Sequence, residues 1–442
     1  MKVKIIGAGL AGSEAALQLA KRGIEVDLYE MRPVKMTGAH TTEKLAEFVC
    51  SNSMGSYDLS VASGLLKKEM ELLGSELIKI AFDVKVPAGN ALAIDREEFS
   101  KRVTELIEAN PLINLVREEV NEIPEGDVII ASGPLTSDSM AKSIQEFTQE
   151  EHLHFFDAVA PIVEKDSINF DKAFYGSRYD KGEASYINCP MNKEEYEKFY
   201  NILINAERIE LKEFEKNAKF FESCLPVEVL GSRGVDTLRF GPMKPVGLVD
   251  KRTNEINYAV VQLRQDNALK TLYNLVGFQT NLKWSFQKEL IHSIPGLENA
   301  NIVRYGVMHR NTFINSPRIL TNKLNTKKRD NLFFAGQITG VEGYTESMAS
   351  GLIAGINMAK YIKGEQMLEM PSECILGALL NYITDENHKQ LQPVNSNWAL
   401  INNIELPKKI RKDKKAKAEI LANRSLEALS GVLNTLWEIK LL

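Results

Sequence analysis

The sequence predicts an α/β fold in which a Rossmann-like parallel sheet carries an inserted α+β domain and a helical C-terminal segment. Three observations support this prediction. The chain opens with strand, glycine-rich turn and helix patterns; a second glycine-rich strand-to-helix passage follows some 300 residues later; and the residues between them differ in composition. Strands that alternate with helices are typical of a parallel sheet covered by helices.

The opening of the chain predicts a β-α-β unit. The string "KVKII" is a short apolar strand, "SEAALQLAKRG" is a helix that ends at Gly23, and "IEVDLYE" is the second strand. Between the first strand and the helix, "GAGLAG" has the G-x-G-x-x-G spacing, and Glu30 closes the second strand. This combination indicates a dinucleotide-binding turn; a purely structural glycine turn is the alternative.

Each position of this glycine fingerprint has a mechanical reason. Gly7 permits the tight turn, Gly9 lets the backbone approach a pyrophosphate, and Gly12 lets helix and strand pack closely. The helix N-terminus stabilises the phosphate charge, and Glu30 accepts a hydrogen bond from a ribose hydroxyl. The residues expected to contact the dinucleotide here are Gly7, Ala8, Gly9, Leu10, Ala11, Gly12 and Glu30.

The later passage, "NLFFAGQITGVEGYTESMASGLIAGINMAKYI" (331–362), favours FAD as the dinucleotide. A second glycine-rich loop this far downstream closes the other end of a long, extended cofactor. We expect the amides of Gly340, Val341 and Glu342 to face the flavin or ribityl end. A helix that starts near Ser350 is expected to direct its positive end at the ring system; a tightly packed strand–helix junction is the alternative. The expected contacts are Gly133, Gly336, Gln337, Gly340, Val341, Glu342 and Gly343.

The same patterns divide the chain into four segments. Residues 1–140 and 301–365 are the two parts of an FAD-binding domain of the glutathione-reductase type, residues 141–300 are an inserted substrate or RNA domain, and residues 366–442 are a helical segment. In the first segment, "ASGLLKKEMELLGSEL" predicts a helix over 62–77 and "GDVIIASGP" another parallel strand. In the inserted domain, "FFDAVAPIV" and "YAVVQL" predict strands, and "NKEEYEKFYNILINAERIELKEF" predicts a helix.

Composition and charge exclude several classes of protein. The chain has 442 residues, of which 44% are hydrophobic and 26% charged, with a net charge of −5. An acidic chain does not bind nucleic acid indiscriminately, so any RNA contact requires a local basic patch. Four cysteines without CxxC spacing predict neither a disulfide framework nor a metal site. With no signal peptide and no bilayer-spanning apolar run, we expect a cytoplasmic protein without membrane contact.

Two sets of residues are candidates for substrate chemistry. Cys224 lies in a stretch rich in arginine and lysine, and cationic neighbours lower the pKa of a thiol. A small buried residue is the alternative for each cysteine. Polar side chains beside aromatic rings in "VQLRQDN" and "RYGVMHRNTFINSP" are suited to a pteridine or pyrimidine, and a solvated loop is the alternative. The candidate substrate or RNA contacts are Arg239, Lys244, Arg264, Gln265, Asn267, Tyr305, His309 and Arg310.

Long strings of the sequence resemble the TrmFO family, the folate- and FAD-dependent RNA uracil-5-methyltransferases of bacteria. The resemblance covers nearly the whole chain and rests on "GAGLAGSEAA", "CSNS", "LAIDREEF", "DTLRFGPMKPVGL", "VVQLRQDN", "YNLVGFQT", "RYGVMHRNT", "FFAGQITGVEGY" and "LQPVNSNW". It implies methylation of uracil C5 in RNA. The implied carbon donor is 5,10-methylenetetrahydrofolate, with reduced FAD as reductant and methylene carrier and NADH or NADPH as the electron source.

The resemblance also implies roles for two cysteines. The two functional cysteines of the family match Cys50 in "CSNS" and Cys224 in the E-x-C-x-P pattern. A thiolate that adds to uracil C6 makes C5 nucleophilic. We assign Cys224 as this nucleophile because of its basic neighbourhood, and Cys50 as the partner that shuttles a proton or protects the flavin adduct; the reverse assignment stays open. The target base is expected to be everted into a pocket between flavin and Cys224.

One departure from the family bears on the substrate. The family usually continues "CSNSLR", whereas this chain has Gly55 in place of the arginine. The T-loop uridine of tRNA is the usual target of the family, and a 23S ribosomal RNA uridine is the alternative. Two further alternatives are an FAD-dependent NAD(P)H oxidoreductase with a Cys50/Cys224 redox pair and a non-catalytic RNA-binding flavoprotein. The basic run over 408–417 either extends an RNA footprint or is a solvated helix face.

Overall fold

The computed structural model describes residues 2–150, 153–158, 160–180, 183–209, 225–253, 257–306, 308–388, 391–401, 410 and 413–437. Its strands, in chain order, are β1 (Lys2–Ile6), β2 (Glu25–Glu30), β3 (Ser53–Ser56), β4 (Lys85–Val86), β5 (Ala91–Ile94), β6 (Ile113–Arg117), β7 (Val128–Ile130), β8 (Leu153–Ala158), β9 (Ile162–Glu164), β10 (Phe174–Gly176), β11 (Tyr186–Met191), β12 (Ala259–Gln265), β13 (Leu272–Leu275), β14 (Ile302–Arg304), β15 (Met308–Phe313) and β16 (Leu332–Phe334).

The α-helices in the same residues follow the same order. They are α1 (Leu10–Ala20), α2 (Ala62–Leu72), α3 (Glu76–Asp83), α4 (Arg96–Glu108), α5 (Asp138–Thr148), α6 (Lys193–Asn205), α7 (Val227–Ser232), α8 (Thr237–Phe240), α9 (Trp284–His292), α10 (Ser316–Ile319), α11 (Tyr344–Ile362), α12 (Ile375–Thr384) and α13 (Lys414–Trp437). Within these ranges, no helix is long and apolar enough to cross a membrane.

In the described part of the chain, five parallel strands form one sheet in the order β16-β7-β1-β2-β6. Val3 and Ile5 of β1 and Val26 and Leu28 of β2 are fully buried, whereas Lys4 and Asp27, which alternate with them, are half-buried. The order places the turn that follows β1 beside the ends of β7 and β16. The predicted α/β class and its strand–turn–helix opening are confirmed.

Two helices from distant parts of the sequence, α1 and α11, pack tightly against each other. A Cβ added at Gly351 would lie 2.2 Å from the Ala11 carbonyl oxygen, and one at Gly355 would lie 2.8 Å from the Ala15 carbonyl oxygen. These contacts are shorter than real Cβ atoms make, so the two glycines are what lets the helices approach. Because Gly351 lies against Ala11 and Gly355 against Ala15, the two helices run in the same direction, and both begin at the same end of the pair.

Six antiparallel strands within the described ranges form a second sheet, in the order β10-β11-β12-β13-β9-β14. One face of this sheet packs with α6, α7 and α9 around a hydrophobic core of its own. The sheet includes β14, which lies just past residue 300. The domain boundaries at residues 140, 300 and 365 stay predictions.

Three predicted elements differ in extent from the observed ones. The helix predicted over 62–77 is two helices, because Gly74 has a φ of 83° and Ser75 caps α3 with its hydroxyl. The string "FFDAVAPIV" forms two strands, β8 and β9, which belong to different sheets. The helix predicted over 192–214 ends as α6 at Asn205, and residues 210–214 lie outside the described ranges.

Gly351→Ala is expected to lower the free energy of unfolding by about 1–3 kcal/mol, because the new methyl group must displace the backbone of α1. The measurement is chemical denaturation of the purified chain. Gly431→Ala is the matched control in α13, since a Cβ there meets nothing within 4 Å. The control is expected to be neutral or to stabilise by up to about 1 kcal/mol, and equal effects of the two substitutions would contradict the packing argument.

Candidate active site

A cleft of about 1040 Å³, partly open to solvent, lies at the carboxyl ends of the parallel strands. Ligands of open α/β sheets bind at this edge, where the loops leave the strands. Its lining includes the first turn of α1, the turn after β7 and the start of α11. The predicted cofactor residues that border the cleft are Gly7, Gly9, Leu10, Ala11, Glu30, Gly133, Gly336 and Gln337.

The first glycine turn has the shape that a bound pyrophosphate requires. A Cβ at Gly7, whose φ is 100°, would lie 2.5 Å from the Ala131 carbonyl oxygen, and a Cβ at Gly12 would lie 1.8 Å from the Gly7 carbonyl oxygen. A Cβ at Gly9 would meet nothing within 4 Å, so the turn faces open space there. Helix α1 starts at this turn without an acidic side chain in its first turn or a side-chain cap. Its N-terminal amides therefore face the cleft with no acidic side chain in the helix's own first turn, which suits a phosphate.

Glu30 is held ionised at the end of β2. Its carboxylate accepts hydrogen bonds from the amides of Ala8 (3.2 Å) and Arg32 (3.1 Å). The Arg32 guanidinium pairs with both Glu30 (2.9 Å) and Glu47 (3.0 Å), and all three side chains are buried. Burial acts to raise the pKa of Glu30, but the hydrogen bonds and charge of Arg32 outweigh it and hold the pKa below its ordinary value. An ionised carboxylate is the state that accepts a hydrogen bond from a ribose hydroxyl.

The residues of the second glycine-rich passage (331–362) that border the cleft are not all the ones that the sequence predicts. The Gly340 amide donates to the Gln337 carbonyl (3.0 Å), and the Glu342 amide donates to the Val394 carbonyl (2.8 Å). The expectation that these two amides face the flavin is therefore wrong, because both are used within the protein. Val341 is buried and forms a β-bridge with Val394.

Helix α11 begins at Tyr344, not near Ser350. Gly343, with a φ of 116°, precedes it, and the backbone turns there into the helix. Ser350 lies inside the helix, where its hydroxyl oxygen accepts a hydrogen bond from the Gly336 amide at 2.7 Å. The residues of this passage that border the cleft are Gly336, Gln337, Tyr344 and Ser347.

The "CSNS" loop is fixed to the start of α11. The Cys50 amide donates to the Tyr344 hydroxyl at 2.7 Å, and the Thr345 hydroxyl donates to the Met54 carbonyl at 3.3 Å. The Arg304 guanidinium donates to the Val49 carbonyl at 2.9 Å. Because Val49 and Tyr344 both line the cleft, the half-buried Cys50 lies at its edge.

Asn52, in the same loop, connects the two parts of the molecule. Its side-chain amide donates to the carbonyls of Ile94 (3.0 Å) and Gln265 (2.9 Å). Its side-chain oxygen accepts from the Arg264 Nε (3.1 Å) and the Asn274 Nδ2 (3.2 Å). Asn52 is fully buried, and its bonds to Ile94, Gln265 and Asn274 are made away from water, whereas the bond to the half-buried Arg264 is partly shielded.

Charged residues complete this contact, which we call the Asn52 junction (Asn52, Arg96, Arg264, Asp266 and Asn274). Asp266 accepts from Arg96 at 2.6 Å and from Asn274 at 3.0 Å. Burial lowers the pKa of Arg264, and the charge of Arg96 acts in the same direction. In the part of the chain that the structure describes, the Arg96 Nε is buried without a hydrogen-bond partner. The junction therefore concentrates positive charge beside the Cys50 loop.

The polar candidates in "VQLRQDN" and "RYGVMHRNTFINSP" included Arg264, Asp266 and the neighbouring Arg304, but reasoning from the sequence missed the rest of the junction. The missed residues are Asn52, Arg96 and Asn274. All three lie in strings that carry the family resemblance: "CSNS", "LAIDREEF" and "YNLVGFQT". The available signal was that these strings are far apart in the chain and all rich in polar residues.

Two predicted substrate contacts have a structural role instead. Gln265 is buried, and its Nε2 donates to the Asn267 carbonyl at 2.8 Å. The Asn267 side-chain oxygen accepts from the amides of Thr271 (3.0 Å) and Leu272 (3.2 Å). Both residues close the turn between β12 and β13, because an asparagine side chain satisfies turn amides well. The prediction that Gln265 and Asn267 hold a substrate is therefore corrected: both side chains serve the turn.

Other predicted contacts lie on exposed surfaces. The ring of Tyr305 stacks on Trp284 at 5.3 Å with 13° between the planes, and Trp284 is largely exposed. The Arg239 guanidinium lies 3.4 Å over the ring of Tyr258. Lys244 lies in the exposed loop that follows α8.

Several predicted residues cannot be placed by their side chains. His309 and Arg310 lie in β15, where their backbones pair with residues 157 and 156, and their side chains lie outside the description. Cys224 lies outside the described residues, as do Lys408, Lys409, Arg411 and Lys412 of the basic run. The assignment of Cys224 as the nucleophile stays a prediction.

Fold and cleft together define a Rossmann-like dinucleotide-binding protein with a second, antiparallel sheet beside the binding edge. Solved structures agree with this class. The chain matches two crystal forms of GidA from Aquifex aeolicus with TM-scores of 0.67 and 0.66, over 97% of this chain and 76% and 73% of those chains, at 17% identity. At that identity the likeness concerns the fold alone.

Sequence comparisons identify the family. Residues 2–366 match the family model "Glucose inhibited division protein A". The chain is 57% identical over 432 residues to methylenetetrahydrofolate–tRNA-(uracil-5-)-methyltransferase TrmFO of Bacillus cytotoxicus, covering 98% of this chain and 99% of that protein. It is 57% identical over 436 residues to the TrmFO of Anoxybacillus flavithermus, covering 99% and 100%. The chain belongs to the TrmFO family.

Asn52→Ala is expected to lower the free energy of unfolding by about 2–4 kcal/mol, because it leaves buried polar partners on both sides of the junction unsatisfied. Chemical denaturation measures the effect. Asn201→Ala, on an exposed position of α6, is the matched control and is expected to change stability by less than about 0.5 kcal/mol. A near-neutral Asn52→Ala would contradict the role given to the junction.

Glu30→Gln is expected to destabilise the chain most at neutral pH and progressively less in acid. The pKa of Glu30 lies below its ordinary value of 4.5 in the folded chain, so its contribution is present above about pH 4.5 and is lost as pH falls through the folded pKa. The measurement is the difference in unfolding free energy between wild type and variant from pH 7 downward. A difference that grows toward acid would contradict the assignment.

Proposed function

We propose that this chain methylates C5 of a uridine in tRNA, with 5,10-methylenetetrahydrofolate as carbon donor and FAD as bound cofactor. The observation that carries the proposal is 57% identity, across 98% of the chain, to a protein named for this reaction. The dinucleotide cleft with Cys50 at its edge supports it. A tRNA substrate in turn favours the cytoplasm as the location.

The residues that line the cleft fit FAD in three places. Glu30 is suited to the ribose of the adenosine half, and the turn at Gly9 with the start of α1 is suited to the pyrophosphate. Gly336 and the start of α11 border the remaining part of the cleft, toward Cys50. When bound and reduced by NADH or NADPH, FAD supplies the two electrons that a methylene group needs to become a methyl group.

The chain's own residues would prepare the uracil. A thiolate adds to C6, and C5 then forms a bond to the methylene carbon while the bond from that carbon to its nitrogen carrier breaks. A base takes the C5 proton, and the thiolate leaves C6 when a two-electron reduction, which bound FAD would supply, turns the methylene group into a methyl group. We assign the thiolate to Cys224 and the proton transfer to Cys50, whose loop is clamped by Tyr344, Arg304 and Asn52. The reverse assignment remains the alternative.

Gly55 fits its place in this loop without an arginine. Its φ is 75°, in the left-handed region that favours glycine, and a Cβ there would lie 3.3 Å from the Ser63 Oγ. The missing arginine side chain therefore matches the backbone that the chain adopts. This fit supports the view that the loop tolerates glycine in place of the arginine and that the activity is kept.

Cys224→Ala is expected to abolish methylation of tRNA, at least about a hundredfold, while FAD remains bound, because the nucleophile is lost and the cleft is untouched. Cys50→Ala is the comparison: as the proton-transfer variant it should still form the covalent enzyme–RNA adduct. The readouts are methyl incorporation, flavin absorbance and a gel assay for the adduct. An active Cys224→Ala enzyme would overturn the assignment.

The test of the function itself is nucleoside mass spectrometry for 5-methyluridine in separately purified tRNA and 23S ribosomal RNA, from cells with and without the gene. Loss from tRNA alone is the expected result. Loss from ribosomal RNA alone would keep the chemistry and change the substrate. Loss from neither, with flavin-linked thiol oxidation instead, would favour the NAD(P)H oxidoreductase with a Cys50/Cys224 redox pair.

A further inference from the structure

The second sheet has one apolar and one polar face. Val261 and Leu263 of β12 and their neighbours on β11 point into the core. The alternating residues on the other face are Gln262 and Arg264 of β12 and Tyr186 and Asn188 of β11. Gln262 donates to Asn188 at 2.9 Å, and Arg264 bonds to Tyr186. A sheet face this polar, yet largely shielded from water, suits a polar ligand better than a hydrophobic one.

This polar face leads from the active-site loop to the edge of the sheet. Arg264 contacts Asn52 at one end of the path. In register, Arg264 is opposite Tyr186, and Tyr186 is opposite Gly176 on the edge strand β10. Neighbouring strands lie about 4.8 Å apart, so β10 lies about 10 Å from β12. A ligand whose reacting end is at Cys50 therefore needs to extend only a short way to reach this edge.

At that edge the chain exposes large apolar side chains. We call the surface formed by residues 174–180 and 240–252 the β10 rim. Phe240 is 79% exposed, the highest value among the rim's large apolar side chains. The others are Tyr175, Tyr179, Val246 and Val249. Tyr175 and Val249 also line an open groove beside the rim. Clustered exposed apolar side chains mark an interaction surface.

The charge of the β10 rim indicates the kind of partner. Arg178 donates to the carbonyls of Lys244 and Val246 and to the Gln262 side chain. Among the described residues, neither Arg178 nor Lys244 forms an ion pair with a carboxylate. The rim contains four lysines and arginines against two aspartates, in a chain whose net charge is −5. Lys251 pairs with Asp180 and Arg252 with Asp250, so the excess positive charge of the rim is that of Arg178 and Lys244. A basic surface with exposed aromatic rings is the arrangement that binds looped or single-stranded RNA.

We propose that the β10 rim binds the tRNA substrate outside the target uridine, with Lys244 at a backbone phosphate and Phe240 stacked on an unpaired base. The inference rests on the proposed function and names the surface that the RNA uses. Both side chains are exposed, so neither is needed to hold the fold. They act on binding of the RNA, because Phe240 in α8 and Lys244 in the loop that follows it do not line the cofactor cleft.

The experiment measures affinity of the FAD-loaded chain for unmodified tRNA by fluorescence anisotropy across salt concentrations, and methylation rate at low and saturating tRNA. Lys244→Glu and Phe240→Ala are each expected to weaken binding at least about fivefold, and Lys244→Glu to reduce the salt slope by about one. At saturating tRNA the rate should return to the wild-type value. Lys142→Glu, exposed on α5, and Leu269→Ala, 81% exposed beyond the other end of β12, are the controls and should bind as wild type.

The outcomes separate this inference from the proposed function. If the wild-type chain methylates tRNA but both rim variants bind it as tightly as the controls do, the rim is not the RNA surface and the function stands. If Phe240→Ala changes the oligomeric state in sedimentation and not tRNA affinity, the rim is a protein interface, which also overturns the inference. If the wild-type chain neither binds nor methylates tRNA, the proposed function fails and the inference with it.

Discussion

The side chain of Asn52 is the contact on which the arrangement of the site depends. It donates to carbonyls from both parts of the molecule and accepts from Arg264 and Asn274, and the Asn52 side chain itself is fully buried. Hydrogen bonds in such an environment are strong when complete, and costly when one partner is missing. Ile94 lies in β5 and Gln265 in β12, so these bonds hold the Cys50 loop between the first part of the molecule, which also forms the cofactor cleft, and the antiparallel sheet, which offers a polar face.

The electrostatics of the site follow from this arrangement. Arg96, Arg264 and Arg304 lie near one another, and burial lowers the pKa of Arg264 and of Arg304. Among the described residues, Arg96 forms an ion pair with Asp266, and neither Arg264 nor Arg304 forms one. Positive charge that the fold leaves in excess attracts anions, and both an RNA phosphate and a folate carboxylate are anionic. At the other end of the cleft, Glu30 is ionised because Arg32 pairs with it. The cleft therefore offers an acceptor at one end and cationic surroundings at the other.

The fold was predictable wherever local spacing decides structure. The fingerprint at Gly7, Gly9 and Gly12 is a matter of close backbone approach within a few residues, and it predicted β1, α1 and β2 well. The start of α11 was misplaced because Gly340 and Gly343 turn the chain earlier than its composition suggests. The Asn52 junction joins residues more than 200 positions apart, and no periodicity in the sequence encodes such contacts. Gln265 and Asn267 looked like ligand contacts because turn-closing and ligand-binding side chains share the same chemistry.

The most direct test of the account follows the carbon atom. Purified FAD-loaded chain is incubated with NADPH, unmodified tRNA, and methylenetetrahydrofolate that carries carbon-13 in its methylene group, and 5-methyluridine is then analysed by mass spectrometry. The account predicts 5-methyluridine that carries the heavy carbon, and none when the folate is left out. Unlabelled 5-methyluridine, or none at all while the flavin is reduced and reoxidised, would contradict it.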